Sequence, residues 1–294
     1  MNFSDIILAI DNTLWATPLI ALTFIGSIIY CVAIKFGNVR SVKLQWKLLT
    51  SGADSETGIS PFETFCSVVA YRVAVGNIGG VMVAIMYGGP GAILWMVVTA
   101  LVTSAIAYAE NSLGQIYKVR MDGQYRGGPY FYMEKGLPWK KVGKVFAIIF
   151  AIFATVGVPL LVTGPSANNI AMSFENVFGA DCLGTIFGMS GIRVVIGLFI
   201  AVALFLVISG GVRRIAKFST IIVPFMTIAY LIMTIIVLVS NSSNVLPALG
   251  TIVSSAFNGS AIFGGMMGGA FSYGVKRAVN SSGSGFGETP ATAA

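Results

Sequence analysis

Seven apolar segments, each about 20 residues long, recur along this 294-residue chain, near 17–36, 65–87, 92–117, 145–165, 192–210, 220–240 and 248–275. A helix of that length crosses the hydrocarbon core of a bilayer. A backbone in lipid must satisfy its own hydrogen bonds, so the spans can only be helices or a closed barrel. The pattern predicts an all-α polytopic membrane protein. Composition agrees: 56% of residues are hydrophobic and 10% are charged, against about 25% charged in soluble domains. The absence of histidine excludes histidine triads and imidazole metal sites. Cys31, Cys66 and Cys182 are odd in number and show no CxxC spacing, so they imply neither a disulfide framework nor a zinc site. The first residues, Met1 to Asp5, lack the basic start of a secretory signal. The first helix is therefore expected to stay in the mature protein and act as its own insertion signal.

The loops are sharply segregated by charge. Lys35, Arg40, Lys43 and Lys47 follow the first span, and Lys118, Arg120, Arg126, Lys135, Lys140, Lys141 and Lys144 follow the third. Arg213, Arg214 and Lys217 follow the fifth, and Lys276 and Arg277 follow the seventh. These are 16 of the 18 Lys and Arg, all on one side of the predicted topology. The opposite side has Arg193 with Asp5, Asp11, Glu175 and Asp181. The positive-inside rule then places the N-terminus outside and the basic loops in the cytoplasm. The net charge of +7 is a topology signal, not a nucleic-acid footprint. Lys140-Lys141 also suits contact with anionic lipid.

Mid-way through the second span, Gly76-Asn77-Ile78-Gly79-Gly80 interrupts the apolar run. Two readings stand. Gly76 and Gly80 form a small-xxx-small face for a packed neighbour, or the helix unwinds and its freed amides and carbonyls line a solute site. On the second reading the inner half ends near Val75 and the outer half begins near Gly79. The outer half turns free amides and its positive dipole end to the membrane centre, which suits a carboxylate. The inner half turns carbonyls there, which suits sodium or ammonium, and Asn77 adds a side-chain carbonyl and amide. An amino acid with a sodium ion matches both ends.

Other segments share this character. Gly157, Pro159, Gly164-Pro165-Ser166 and Asn168-Asn169 interrupt the fourth span, either lining a solute path or kinking a packed helix. The seventh carries Phe257-Asn258-Gly259-Ser260 and Gly264-Gly265-Met266-Met267-Gly268-Gly269, either a second broken helix or a close-packing face. Gly283-Ser284-Gly285-Phe286-Gly287 superficially matches a phosphate loop, but no strand precedes it and no Walker lysine follows. Arg72 and Glu110 lie at similar depth, roughly 10 to 17 Å from the basic ends of the second and third spans. Either they pair as a gate or brace, or each finds its own partner or snorkels.

The segments Arg72-Val-Ala-Val-Gly-Asn-Ile-Gly-Gly-Val81, Gly88-Gly-Pro-Gly-Ala-Ile-Leu-Trp-Met96, Tyr108-Ala-Glu110 and Gly127-Gly-Pro-Tyr-Phe-Tyr-Met-Glu-Lys-Gly-Leu137 resemble the alanine/glycine:cation symporters, also called sodium:alanine symporters. Ile222-Val-Pro-Phe-Met226, Ser254-Ser-Ala-Phe257 and Gly274-Val-Lys-Arg277 extend the match over nearly the whole chain. The resemblance implies a leucine-transporter-type inverted-repeat fold in one incomplete transmembrane domain. An extra N-terminal helix would occupy 12–36, the first five-helix repeat 60–240 and the start of the second 247–294. It implies sodium-coupled import of a small neutral amino acid across the plasma (inner) membrane, without catalysis and with no cofactor or metal beyond sodium. Val75, Gly76, Asn77, Ile78, Gly79 and Ser166 would bind substrate, and Ala70, Val73 and Asn77 the cation. The alternatives are a non-functional fragment or a passive channel or scaffold subunit; a membrane enzyme would have only Arg72 and Glu110 as its buried pair.

Three departures stand out. Val75 replaces the threonine of Gly-Thr-Gly-Asn-Ile, removing a hydroxyl ligand for cation or substrate, and Ser166 falls where the family has glutamine. The pattern Arg-Gly-(Leu/Val)-Phe-Ser-Asn-Glu-Ala-Gly appears as Arg277-Ala-Val-Asn-Ser-Ser-Gly-Ser-Gly285. Family members continue through a second five-helix repeat, so a partial reading frame is expected.

Overall fold

The computed structural model describes residues 13, 17–51, 58–73, 75–121, 124–158, 163–179, 183–186, 188–257 and 269–293. The second apolar segment is two helices, α4 (Pro61–Arg72) and α5 (Val75–Gly88), after α1 (Thr17–Ala33) and the short α2 (Gly37–Arg40) and α3 (Val42–Leu49). A capping box starts α4: the Ser60 hydroxyl accepts from Glu63 N–H, the Glu63 carboxylate accepts from Ser60 N–H, and Pro61 needs no partner. Then come α6 (Ala92–Ile116), α7 (Pro129–Gly136), α8 (Lys140–Gly157), α9 (Gly164–Phe178), α10 (Gly191–Ile208) and α11 (Gly211–Ser240). The chain continues through α12 (Ser242–Ala256), α13 (Gly269–Ser282) and α14 (Glu288–Ala293).

One expectation needs correction. Two small antiparallel hairpins interrupt the all-α picture, β1 (Val119–Met121) with β2 (Gln124–Arg126) and β3 (Thr185–Ile186) with β4 (Met189–Ser190). Among the described residues three helices, α6, α10 and α11, are individually long and apolar enough to span a membrane. The fourth predicted span, expected to be interrupted, overlaps α8 and α9, and residues 159–162 between them, Pro159 included, lie outside the described residues. The seventh overlaps α12 and α13, and residues 258–268 between them, which carry the glycine-rich motifs, also lie outside the described residues. Cys31 and Cys66 carry free thiols, and Cys182, Asp5, Asp11 and Asp181 lie outside the described residues.

Helix α6 is the hub, touching α1, α5, α12, α13 and α14. Small residues make these approaches close. A Cβ on Gly274 of α13 would lie 2.7 Å from the Ala92 carbonyl and 2.8 Å from Trp95 Cβ. One on Gly91 would lie 2.5 Å from the Ala256 backbone, and one on Gly114 2.8 Å from Pro290. Aromatic rings close the seam: Trp95 meets Phe271 edge-on at 4.8 Å, Tyr87 stacks on Tyr273 at 5.5 Å, and the Trp95 indole N–H donates to Ala256 O at 3.2 Å. Helices α10 and α11 instead expose most of their apolar surface, including Phe199 and Phe225, as a lipid-facing helix does.

Two of the basic connections, those that follow α1 and α6, meet the second half of α6. Asn38 donates to Ser104 Oγ at 2.8 Å, Gly37 packs on Tyr108, and Gly136 packs on Tyr117. At the same end Gly287, beyond α13, packs against Pro129. The outlying Arg193 on α10 forms an ion pair with Glu175 on α9. Gly274→Ala is expected to cost about 1–3 kcal/mol of stability through overpacking, whereas Gly79→Ala, with nothing within 4 Å of the added carbon, should hold or gain stability. Thermal unfolding of the two purified variants checks this.

Candidate substrate and cation site

The second span is broken, four to five residues before its centre of glycines. Helix α4 ends at Arg72, and Val73 leaves the helical region with φ −95° and ψ 57°. Residue 74 lies outside the described residues, and α5 begins at Val75. The predicted boundaries, Val75 for the inner half and Gly79 for the outer, are therefore too late. Gly76 to Gly80 belong to the first turns of α5. Their glycines serve packing at least in part: a Cβ on Gly80 would lie 3.5 Å from the Arg277 side chain of α13, while Gly79 faces open space.

Asn77 explains where the helix breaks. Its side-chain amide donates to the carbonyl of Arg72, the last residue of α4, and at 3.3 Å to the carbonyl of Ser281 near the end of α13. The first of these carbonyls would otherwise take the N–H of residue 76 in a continuous helix. The amide predicted to meet a ligand is thus committed to backbone, and the Asn77 carbonyl is the group left for a cargo or ion. The opening turn of α5, Val75 to Ile78, has four amides without intrahelical acceptors and carries the positive dipole end. Opposite it, Ala70 and Val73 sit at the carbonyl end of α4, half-buried. Ser166 lies in the first turn of α9, also half-buried, on a helix that touches α5.

Glu110 and Arg72 are within electrostatic reach, but the hydrogen bonds of Glu110 go elsewhere. Its carboxylate, 6% exposed, accepts Gly285 N–H at 3.1 Å and the Thr289 hydroxyl at 3.2 Å. The turn supplying them has Gly283, Gly285 and Gly287 at φ 57°, 88° and 76°, left-handed conformations that favour glycine. The G-x-G-x-G segment, set aside as a phosphate loop, does wrap an acidic group, the protein's own Glu110 carboxyl. Sequence reasoning missed this because the partner lies 175 residues away. Burial and the Glu110 charge push the nearby Tyr132 phenol of α7 up to about 12, so it stays protonated. A cavity of about 450 Å³ opens beside this network, mostly apolar, between Arg72, Val81, Met96, Ser104, Ser281 and Ser284. Among the described residues no three His, Cys, Asp or Glu side chains converge as a metal site would require.

A broken helix pinned to a second helix, inside an apolar bundle, is the arrangement of a solute carrier. The model of the family described as "Sodium:alanine symporter family" matches residues 1–294. The chain belongs to the sodium:alanine symporter family. This is a family of transporters, not of enzymes. The chain is 38% identical over 293 residues to the putative sodium/proton-dependent alanine carrier protein YrbD of Bacillus subtilis, covering 99% of this chain and 57% of that protein. It is 36% identical over 286 residues to the probable sodium/glutamine symporter GlnT of the same organism, covering 97% and 57%. It is 36% identical over 301 residues to the sodium/alanine symporter AgcS of Methanococcus maripaludis, covering 100% and 63%. This member of the sodium:alanine symporter family thus spans less than two thirds of the length of each of these relatives.

If Asn77 ties two carbonyls together, its replacement must show without any ligand present. Asn77→Asp, which sets a carboxylate against both carbonyls, is expected to destabilise the ligand-free protein by about 1–3 kcal/mol or more, and Asn77→Ala by less. Unchanged thermal unfolding of both variants in amino-acid-free, sodium-free buffer would show that Asn77 acts only as a ligand.

Proposed function

We propose that this chain serves sodium-coupled import of a small neutral amino acid, bound near the bilayer midplane where α4 gives way to α5. The carrying observation is the break at Val73, which sets the amide end of α5 against the carbonyl end of α4. A zwitterion presents its carboxylate to the first and its ammonium, with a sodium ion, to the second. On this reading Val75 to Gly79 and Ser166 contact the substrate. The backbone at Ala70 and Val73 and the Asn77 side-chain carbonyl hold the cation. The α12–α13 pair is the second broken helix, and α1 precedes a leucine-transporter-type repeat over 60–240, with a second beginning at 247–294. The basic end of α6 faces the cytoplasm across the plasma membrane, with the N-terminus outside.

The named relatives support the class of cargo, since their names give alanine or glutamine with sodium or protons. Val75 and Ser166 are the positions at which this chain's selectivity would depart from theirs. Sodium-dependent uptake of radiolabelled alanine, glycine and glutamine into vesicles containing the gene product tests the reading, and sodium-independent flux overturns it. Val75→Thr is expected to restore a hydroxyl ligand and lower the half-saturating sodium concentration about fivefold, the equivalent of one hydrogen bond. Uptake assayed across a sodium series checks that.

A further inference from the structure

A second cavity, of about 210 Å³, lies one helical turn before the break. Ser67 and Val68 of α4, Val158 at the end of α8, and Glu288, Thr289 and Thr292 of α14 line it. Its hydroxyls share a property that the sequence does not reveal. Ser67 donates its proton to the Glu63 carbonyl at 2.9 Å, Thr289 to the Glu110 carboxylate at 3.2 Å, and Thr292 to the Glu288 carbonyl at 3.2 Å. A hydroxyl has one proton to give, so each of the three turns only lone pairs toward other neighbours. The Glu288 carboxylate adds an oxygen, Oε2, that is buried and accepts no hydrogen bond from any described residue. Among the described residues that line it there is no lysine or arginine.

We propose that this cavity is a binding site for a partly hydrated monovalent metal cation, apart from the break. Every polar side chain in its wall is an acceptor, so an anion is excluded. The buried Glu288 Oε2 has no hydrogen-bond partner among the described residues, and a carboxylate oxygen left so is costly. Hard cations take oxygen ligands, and divalent ions draw on more carboxylate charge than the single Glu288 supplies. The volume exceeds that of one ion and accommodates several waters at about 30 Å³ each. An ion held here ties α4 to α14. Because Thr289 also holds Glu110, it steadies the same glycine turn that wraps the Glu110 carboxylate.

Thermal unfolding of the purified chain in sodium chloride, against choline chloride at equal ionic strength, tests the site directly. The wild type is expected to gain stability with sodium. Glu288→Gln should lose at least half of that gain and require roughly tenfold more sodium for the remainder. Thr292→Val keeps the carboxylate and the side-chain volume, so it gives the same test, with a smaller loss, should Glu288→Gln fail to fold. A wild type that does not distinguish sodium from choline overturns the proposal, as does a sodium response retained in full by both variants. Sodium held at the break would add to the wild-type gain, so the part lost in Glu288→Gln and Thr292→Val, both away from the break, is the readout that belongs to this cavity and separates its outcome from that of the transport reading.

Discussion

A helix that stops inside a bilayer strands the carbonyls of one half and the amides of the other where no solvent can reach them. The rest of this molecule is arranged around that cost. Asn77 takes up part of it by donating its side-chain amide across the gap to the Arg72 carbonyl. The same amide reaches the Ser281 carbonyl, so the repair is shared with α13. The opening turn of α5 keeps amides without intrahelical acceptors, and on the proposed reading these receive the substrate carboxylate. A fully repaired break would hold no solute, and an unrepaired one would not persist in lipid.

The second buried polar system follows the same logic with an acidic side chain. Glu110 sits in α6, the helix against which most others pack, and its carboxylate is met by the Gly285 amide, the Thr289 hydroxyl and the field of Arg72. Three left-handed glycines let the backbone curl closely enough to offer those amides. Glu110 thus belongs to a hydrogen-bonded system that runs through the glycine turn and ends on α14.

The broad plan was legible in the sequence because it rests on local quantities. Apolar runs of membrane length, the basic bias of alternate loops and the mid-span glycines each need only a window of residues. The exact break was not legible, because the Asn77–Ser281 bond that helps set it joins residues 204 positions apart. The same holds for Gly80, whose small size matters because Arg277 lies over it. The fourth segment was expected to be interrupted, and helix is described on either side of residues 159–162, as α8 and α9. Glycine-rich motifs were the least decisive signal, since packing, turning and wrapping an acidic group all use the same residue.

Two independent contacts hold the far end of α13: Asn77 on the Ser281 carbonyl and Glu110 on the turn just beyond it. Helix α13 also packs its small face, Gly274 and Ala278 among it, against α6 along most of its length. Separating α13 from the α4–α5 junction would break a hydrogen bond to a backbone carbonyl, expose a buried carboxylate and open a close-packed glycine seam together. Each loss is of the order of 1 kcal/mol or more in a low-dielectric interior. By contrast, α10 and α11 present mainly lipid-facing surface and meet α4 chiefly along one face of α11. Close packing therefore falls within the α5–α6–α13 group, and α4 is the element that joins it to α11, through the Arg72 carbonyl on one side and a helix face on the other.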